Sequence, residues 1–390
     1  MKILLISSKY HPEYSGSGLR AHNTYKRLKK NYGINFDILS NSISYQGNKK
    51  YNYDGLEVTR ISSPFKINKR KTFWRKIVIL FNIFWEIFFG WMYIRKNITK
   101  YSLLHTFGNS WTIGFLTWYF ARKNKPVIRE LCNDMPNPLY PIQAQKYMRS
   151  VFKKNNTLMI AISKRLEILA KSFDVKNIWY RPNPVNENEF FIDYKKKYLL
   201  RKQLTKFNSD DVLLNLVANF IDRKNQLFAL DVLSLLPKNF KLILAGPLKV
   251  ENNEYFRLIE DKIDKLQLAD RVDLQIGFVD NFNEYLKCSD VFLFPSKAEG
   301  LGTPLLEAQA CGIPVVSNYI EDITDHVIEY NKGGFFLKLN PEEWAKSIKK
   351  AIEIPNQVLV QNAKFIRNIC SSNLLDEKYY KKIKNLINEN

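Results

Sequence analysis

Two α/β domains, each a largely parallel sheet with helices on both faces, are predicted by three observations. Short apolar runs alternate with helical patterns along the whole chain. The rhythm restarts after a Pro-containing stretch at 182–193. The residues best suited to ligand chemistry fall just behind apolar runs, where parallel strands present their carboxyl ends. The expectation is two Rossmann-like domains with parallel sheets facing a central cleft, divided as 1–187 and 188–372.

The strands of the first half are expected at 2–7, 36–40, 56–61, 103–107, 127–131, 157–162 and 178–180. Those of the second are expected at 212–218, 242–245, 272–275, 291–294 and 315–317. The run after Met1 is too short for a signal peptide and reads as the first buried strand. The 390 residues suffice for two or three domains, and an apolar content of 45% supports ample cores. Lys and Arg number 60 against 38 Asp and Glu, a net charge of +22 that favours anionic partners. Cys132, Cys288, Cys311 and Cys370 are widely spaced without C-x-x-C pairing, which fits reduced thiols in a cytoplasmic protein.

The segment S-K-A-E-G-L-G-T-P-L-L-E-A, residues 296–308, carries the sharpest chemistry. Glu299 and Glu307 stand eight residues apart around the turn Gly300-Leu301-Gly302. Thr303 suits an N-cap and Pro304 the first helical position. Backbone N–H groups at such a helix start favour phosphate, and carboxylates accept hydrogen bonds from sugar hydroxyls. An anion cradle between two hydroxyl acceptors describes a nucleotide-sugar site.

This segment resembles the E-x7-E signature of retaining glycosyltransferases of family 4, which have the GT-B fold. The stretch 179–186, W-Y-R-P-N-P-V-N, resembles the family's P-N-G-V-D, with Pro184 and Asn186 replacing Gly and Asp. Ile160 to Arg165 and Lys332 to Phe336 are similar to two further family segments in the same order. The resemblance implies a retaining transfer from a nucleoside-diphosphate sugar to a glycan or lipid-linked glycan acceptor, with no cofactor. Bacterial-type surface polysaccharide or lipopolysaccharide biosynthesis is the implied setting. It also implies that a last helix, about 373–390, packs back on the first domain. A GT-B sugar-nucleotide epimerase and a non-catalytic nucleotide-sugar-binding protein stand as alternatives.

Within that resemblance Glu299 holds the transferred sugar and Glu307 the ribose. Gly300, Leu301, Gly302 and Thr303 approach the phosphates. Where the family has G-R-x4-K, this chain has Ala218, Asn219 and Lys224, and Arg223 is placed to supply the missing guanidinium. Arg223 and Lys224 also read as the start of a solvated helix. In the first domain, Gly18 lies in a loop resembling the family's glycine loop. Gly16 to Ala21 also satisfies G-x-G-x-x-A, but the residues between Ser8 and Gly16 and the placement of Asp37 argue against a dinucleotide fingerprint. Glu130, Asp134 and His105 are candidates for acceptor or sugar contact, although a strand-end histidine such as His105 more often makes a structural hydrogen bond. No D-x-D occurs, so metal-independent transfer is expected.

One segment stands outside this scheme. Lys69 to Lys76 is basic and aromatic and leads into the apolar run 77–94, then Arg95-Lys96. Asn82, Glu86 and Gly90 recur every fourth residue and share one narrow helical face. Three placements remain open for 70–96: packed in the core, seated on a membrane surface, or spanning a membrane. The surface reading predicts peripheral attachment to the inner face of the plasma membrane through anionic lipid, weakened by replacing Arg70, Lys71, Arg75 and Lys76. No nucleic-acid motif accompanies the positive charge.

Overall fold

The computed structural model describes residues 2–13, 15–47, 49–68, 73–131 and 150–388. The chain forms two compact units, Met1–Arg181 with Leu375–Asn390, and Pro182–Leu374.

The first unit is built on eight strands: β1 (Lys2–Ser7), β2 (Asn35–Asn41), β3 (Lys50–Tyr53), β4 (Leu56–Ile61), β5 (Leu103–Phe107), β6 (Val127–Leu131), β7 (Thr157–Ala161) and β8 (Ile178–Tyr180). Their order is β3-β4-β2-β1-β5-β6-β7-β8, parallel throughout except for the β3–β4 hairpin. Burial explains the apolar runs: β5, β6 and β7 are buried at every position, as strands covered on both faces must be. Helix α1 (Gly16–Tyr32) follows β1, α2 (Phe73–Asn97) follows β4, and α3 (Trp111–Arg122) follows β5.

The second unit carries β9 (Val212–Val217), β10 (Phe240–Gly246), β11 (Val272–Ile276), β12 (Val291–Phe294), β13 (Val315–Asn318) and β14 (Gly334–Leu337). The sheet is wholly parallel, ordered β11-β10-β9-β12-β13-β14. The chain winds outward from β9 in one direction and from β12 in the other. The loops after these two strands therefore diverge at a topological switch point, where doubly wound sheets bind ligands.

The division falls at Arg181/Pro182, six residues before the boundary expected at 187. The reason is local. Val185 N–H donates to Cys370 O at 2.8 Å and Ser372 N–H to Val185 O at 3.0 Å, tying 182–187 to the second unit. The last helix, Ser372–Asn388, contributes Tyr379, Ile383 and Leu386 to the core of the first unit, beside Ile3, Leu5 and Tyr25. Asp376 receives Arg27 Nε and Nη2 at 2.6 and 3.1 Å. Cys288, Cys311 and Cys370 are buried free thiols, and Cys132 lies outside the described residues.

Candidate active site

The switch point of the second unit assembles from two loops. Behind β9, Ala218 N–H donates to Ala245 O at 2.9 Å. Gly246 closes against it at φ +153, where a Cβ would sit 2.1 Å from Ala218 O, so only glycine permits this approach. The chain then makes a short 3-10 turn, Asp222–Lys224, and Asn225 in the left-handed region starts the helix Gln226–Ser234. Gln226 Nε2 donates to Asn219 O at 2.9 Å and fixes that loop.

The loop behind β12 is stitched to it. Lys297 N–H donates to Arg223 O at 2.9 Å, and Lys297 Nζ meets Asp222 Oδ1 at 2.6 Å. These contacts bring two cations onto one carboxylate. Lys224 Nζ lies 2.6 Å and Arg223 Nη1 2.7 Å from Glu299 Oε1. Arg223 Nη1 also donates to Ala298 O at 2.6 Å. Burial lowers the Lys224 pKa from the ordinary lysine value, with Glu299 opposing that shift. Lys224, Ala218, Phe294 and Pro304 line one small cavity beneath the two loops.

The glycine turn ends at Gly302, φ +79, which itself occupies the N-cap of the helix Thr303–Ala310. Thr303 is therefore the first helical residue, and the cap falls one position earlier than the sequence implied. Its hydroxyl has another use: Asn183 Nδ2 donates to Thr303 Oγ1 at 2.7 Å. Gly300 to Thr303 thus sit at a helix start, whose unpaired N–H groups carry roughly half a positive charge. Glu307 is on the same helix, half-buried, its carboxyl pushed up to about 8 by burial and then by the charge of Glu189. The second unit therefore gathers Asn219, Arg223, Lys224, Glu299, Gly300, Leu301, Gly302, Thr303 and Glu307 around two adjoining loops and one helix.

The candidates in the first unit sit differently. Gly18 N–H donates to the Ser15 hydroxyl that caps α1, at 3.0 Å. A Cβ at Gly18 would lie 2.4 Å from Lys9 O, so this glycine serves close packing of helix on loop. His105 is fully buried between two tyrosines: Tyr25 Oη is 2.8 Å from Nδ1 and Tyr379 Oη 2.9 Å from Nε2. Burial pushes its pKa down to about 3, with Arg181 adding to the shift and Glu130 opposing it, so the ring is neutral at pH 7. Glu130 is also fully buried. It pairs with Arg181, accepts from Tyr379 Oη at 2.9 Å and lies 3.5 Å from Arg20 Nε. These partners bind the last helix to β5, β6 and the chain after β8, which is structural work. Asp134 lies outside the described residues. Sequence reasoning did not anticipate Asn183 or Arg181, although both stand in the W-Y-R-P-N stretch it singled out.

Residues 199–368 match the family described as Glycosyl transferases group 1. The match takes in both loops, Glu299 and Glu307. The chain is 28% identical over 231 residues to the capsular polysaccharide biosynthesis glycosyltransferase CapH of Staphylococcus aureus. That similarity covers 58% of this chain and 57% of the relative, just over half of each. Among solved structures, sucrose-phosphate synthase from Thermosynechococcus elongatus superposes with a TM-score of 0.79 at 17% identity, over 100% of both chains. HepE of Anabaena in complex with UDP gives 0.76 at 16% identity, over 99% of this chain and 100% of that one. At such identities the likeness is one of fold, and the fold is GT-B.

Proposed function

We propose that the chain is a retaining, metal-independent glycosyltransferase of the family 4 type, which moves a sugar from a nucleoside-diphosphate sugar to a glycan acceptor. Surface polysaccharide or lipopolysaccharide synthesis is the setting, in keeping with the capsular role named for the Staphylococcus relative. The reduced thiols fit a cytoplasmic location. The observation that carries the reading is the convergence of Lys224 and Arg223 on Glu299 Oε1, beside the helix start at Gly302.

In this reading the donor diphosphate competes with Glu299 for the two cations. Its leaving oxygen gains negative charge as the glycosidic bond breaks. Once the donor is seated, Lys224, Arg223 and the N–H groups of Gly300 to Thr303 stabilise that charge from positions already set before the bond breaks. Glu299, released from part of its pairing, accepts hydroxyls of the sugar, and Glu307 accepts those of the ribose. Arg223 supplies the guanidinium that Asn219 does not. A uridine nucleotide is the first base to try, because the Anabaena neighbour was solved with UDP. Glu130 and His105 act in this account through the packing of the first unit.

The stereochemical test is direct. The anomeric configuration of the transferred sugar, read by proton NMR on the product formed in excess EDTA, should match that of the donor. Inversion, or activity that EDTA abolishes and Mg²⁺ or Mn²⁺ restores, would remove the retaining or the metal-independent part of the proposal respectively.

A further inference from the structure

Helix α2 is amphipathic the wrong way round for a soluble protein. Its buried face is Asn82, Glu86, Gly90 and Ile94. Asn82 Nδ2 donates to Ile43 O and Phe65 O, both at 2.8 Å. Glu86 Oε2 accepts from Asn41 Nδ2 and Thr112 Oγ1, both at 3.1 Å. Gly90 admits Leu116, whose Cδ1 would lie 2.9 Å from a Cβ there. These contacts fix the helix in one rotation on the first unit. The outer face includes Phe73 (73% exposed), Trp74 (72%), Leu80 (57%), Phe84 (71%), Phe88 (52%) and Met92 (43%). From Phe73 to Met92 this stripe runs about 29 Å at the rise of an α-helix. An apolar face of that length on a soluble molecule marks a docking site.

Charge tells which occupant it fits. Glu86 is the helix's one acid, and it points into the fold. Lys76, Arg95 and Lys96 are exposed at the two ends of the stripe, and Arg122 and Lys123 at the end of the neighbouring α3. Arg95 lies 5.2 Å over the Trp91 ring, Arg122 5.1 Å over Trp118 and Lys123 6.0 Å over Tyr119, while Trp91 and Tyr119 meet edge to face. Aromatic rings with cations at their rims match the headgroup level of a bilayer. A second copy of this chain fits poorly, because either pairing direction sets cation against cation. A crossing helix fits poorly too, since the polar contacts of Asn82 and Glu86 tie the opposite face to β2, α3 and the segments after β2 and β4.

We propose that the outer face of α2 docks the first unit onto anionic lipid, lying in the membrane plane. The attraction of the basic rim is screened by salt, and insertion of the aromatic stripe is not. The inference rests on α2 and the end of α3 and is independent of the transferase reading.

The test is flotation of the full chain with vesicles of phosphatidylcholine plus phosphatidylglycerol, against phosphatidylcholine alone. Binding should be at least about tenfold stronger to the anionic vesicles, should fall partly in 0.5 M salt, and should be released by an alkaline carbonate wash. The double variant Phe84→Ser, Phe88→Ser touches only outward-facing positions and should lose most of the binding with an unchanged circular dichroism spectrum. Lys76→Ser, Arg95→Ser, Lys96→Ser should lose most of the salt-sensitive part, leaving the share of Arg122 and Lys123. The proposal is overturned if the chain stays unbound with anionic vesicles at low salt. Wild-type flotation of the Phe variant, resistance to the carbonate wash, or a lipid-free dimer that the Phe variant dissolves would each overturn it as well.

Discussion

Glu299 and Glu307 share one motif but meet different physics, and their substitutions should separate. Glu307 is half-buried with its carboxyl near 8, so in the free protein it is largely protonated at pH 7. Accepting two ribose hydroxyls needs the carboxylate, so donor binding should release a proton and tighten as pH rises toward 8. Glu307→Ala should weaken donor binding by about 1–3 kcal/mol, the cost of an unmade hydrogen bond to a buried group, and should flatten that pH dependence. Calorimetric titration at pH 6.5 and 8.5 in two buffers of different ionisation enthalpy checks both. Glu299→Ala leaves the half-buried Lys224 without its countercharge and should reduce kcat more than donor affinity. Equal loss of both parameters in both variants would contradict the division of roles. The eight-residue spacing of these glutamates was legible in the sequence because it is local. The Lys224 partner was not, because it lies 75 residues away and is set by which loops meet at the switch point.

Among the elements, α2 is the one whose meaning changed most between sequence and structure. The narrow face of Asn82, Glu86 and Gly90 was visible as a period of four; that it would be the inner face was not, since apolar patterning normally points the other way. Glu86 carries the consequence. Burial raises its carboxyl from 4.5 to about 7, against the hydrogen bonds from Asn41 and Thr112 that favour the charged form. The folded state therefore holds a proton that the unfolded state releases near 4.5. This contribution to stability is full below that pH and declines as pH rises through 7. Glu86→Gln removes the titration, so the variant should gain on the wild type in denaturation midpoint between pH 5 and pH 8. A gap that does not change with pH would contradict it. Gly18 gives a second prediction at this scale. Its added methyl would meet Lys9 O at 2.4 Å, a backbone atom with little freedom to move. Gly18→Ala should cost about 1–3 kcal/mol, the usual range for overpacking, seen as a lower melting temperature with donor affinity unchanged. The β3–β4 hairpin went unread although its turn, Asp54-Gly55, is a strong hairpin signal: both residues take positive φ, and Asn52 Oδ1 accepts from Gly55 N–H at 3.0 Å. Four-residue β3, with no buried position, offered no apolar run to flag it.

Across the whole molecule, the alternation of strands and helices was enough to give two largely parallel sheets, because burial on both faces writes itself as continuous apolar runs. The exchange of the last helix to the first unit came only by resemblance. It depends on Arg27, Tyr379 and Ile383 finding partners hundreds of residues apart in sequence, which no local pattern records. The proposed activity is transfer of a sugar from a nucleotide donor through the loops behind β9 and β12. The most direct measurement is release of nucleoside diphosphate from a panel of UDP-, GDP- and ADP-sugars by the wild type and by Lys224→Ala. Turnover of one donor class by the wild type is expected, reduced by about 100-fold or more when the Lys224 charge is removed. Turnover of no donor by the wild type, or equal turnover by the Lys224 variant, would contradict it.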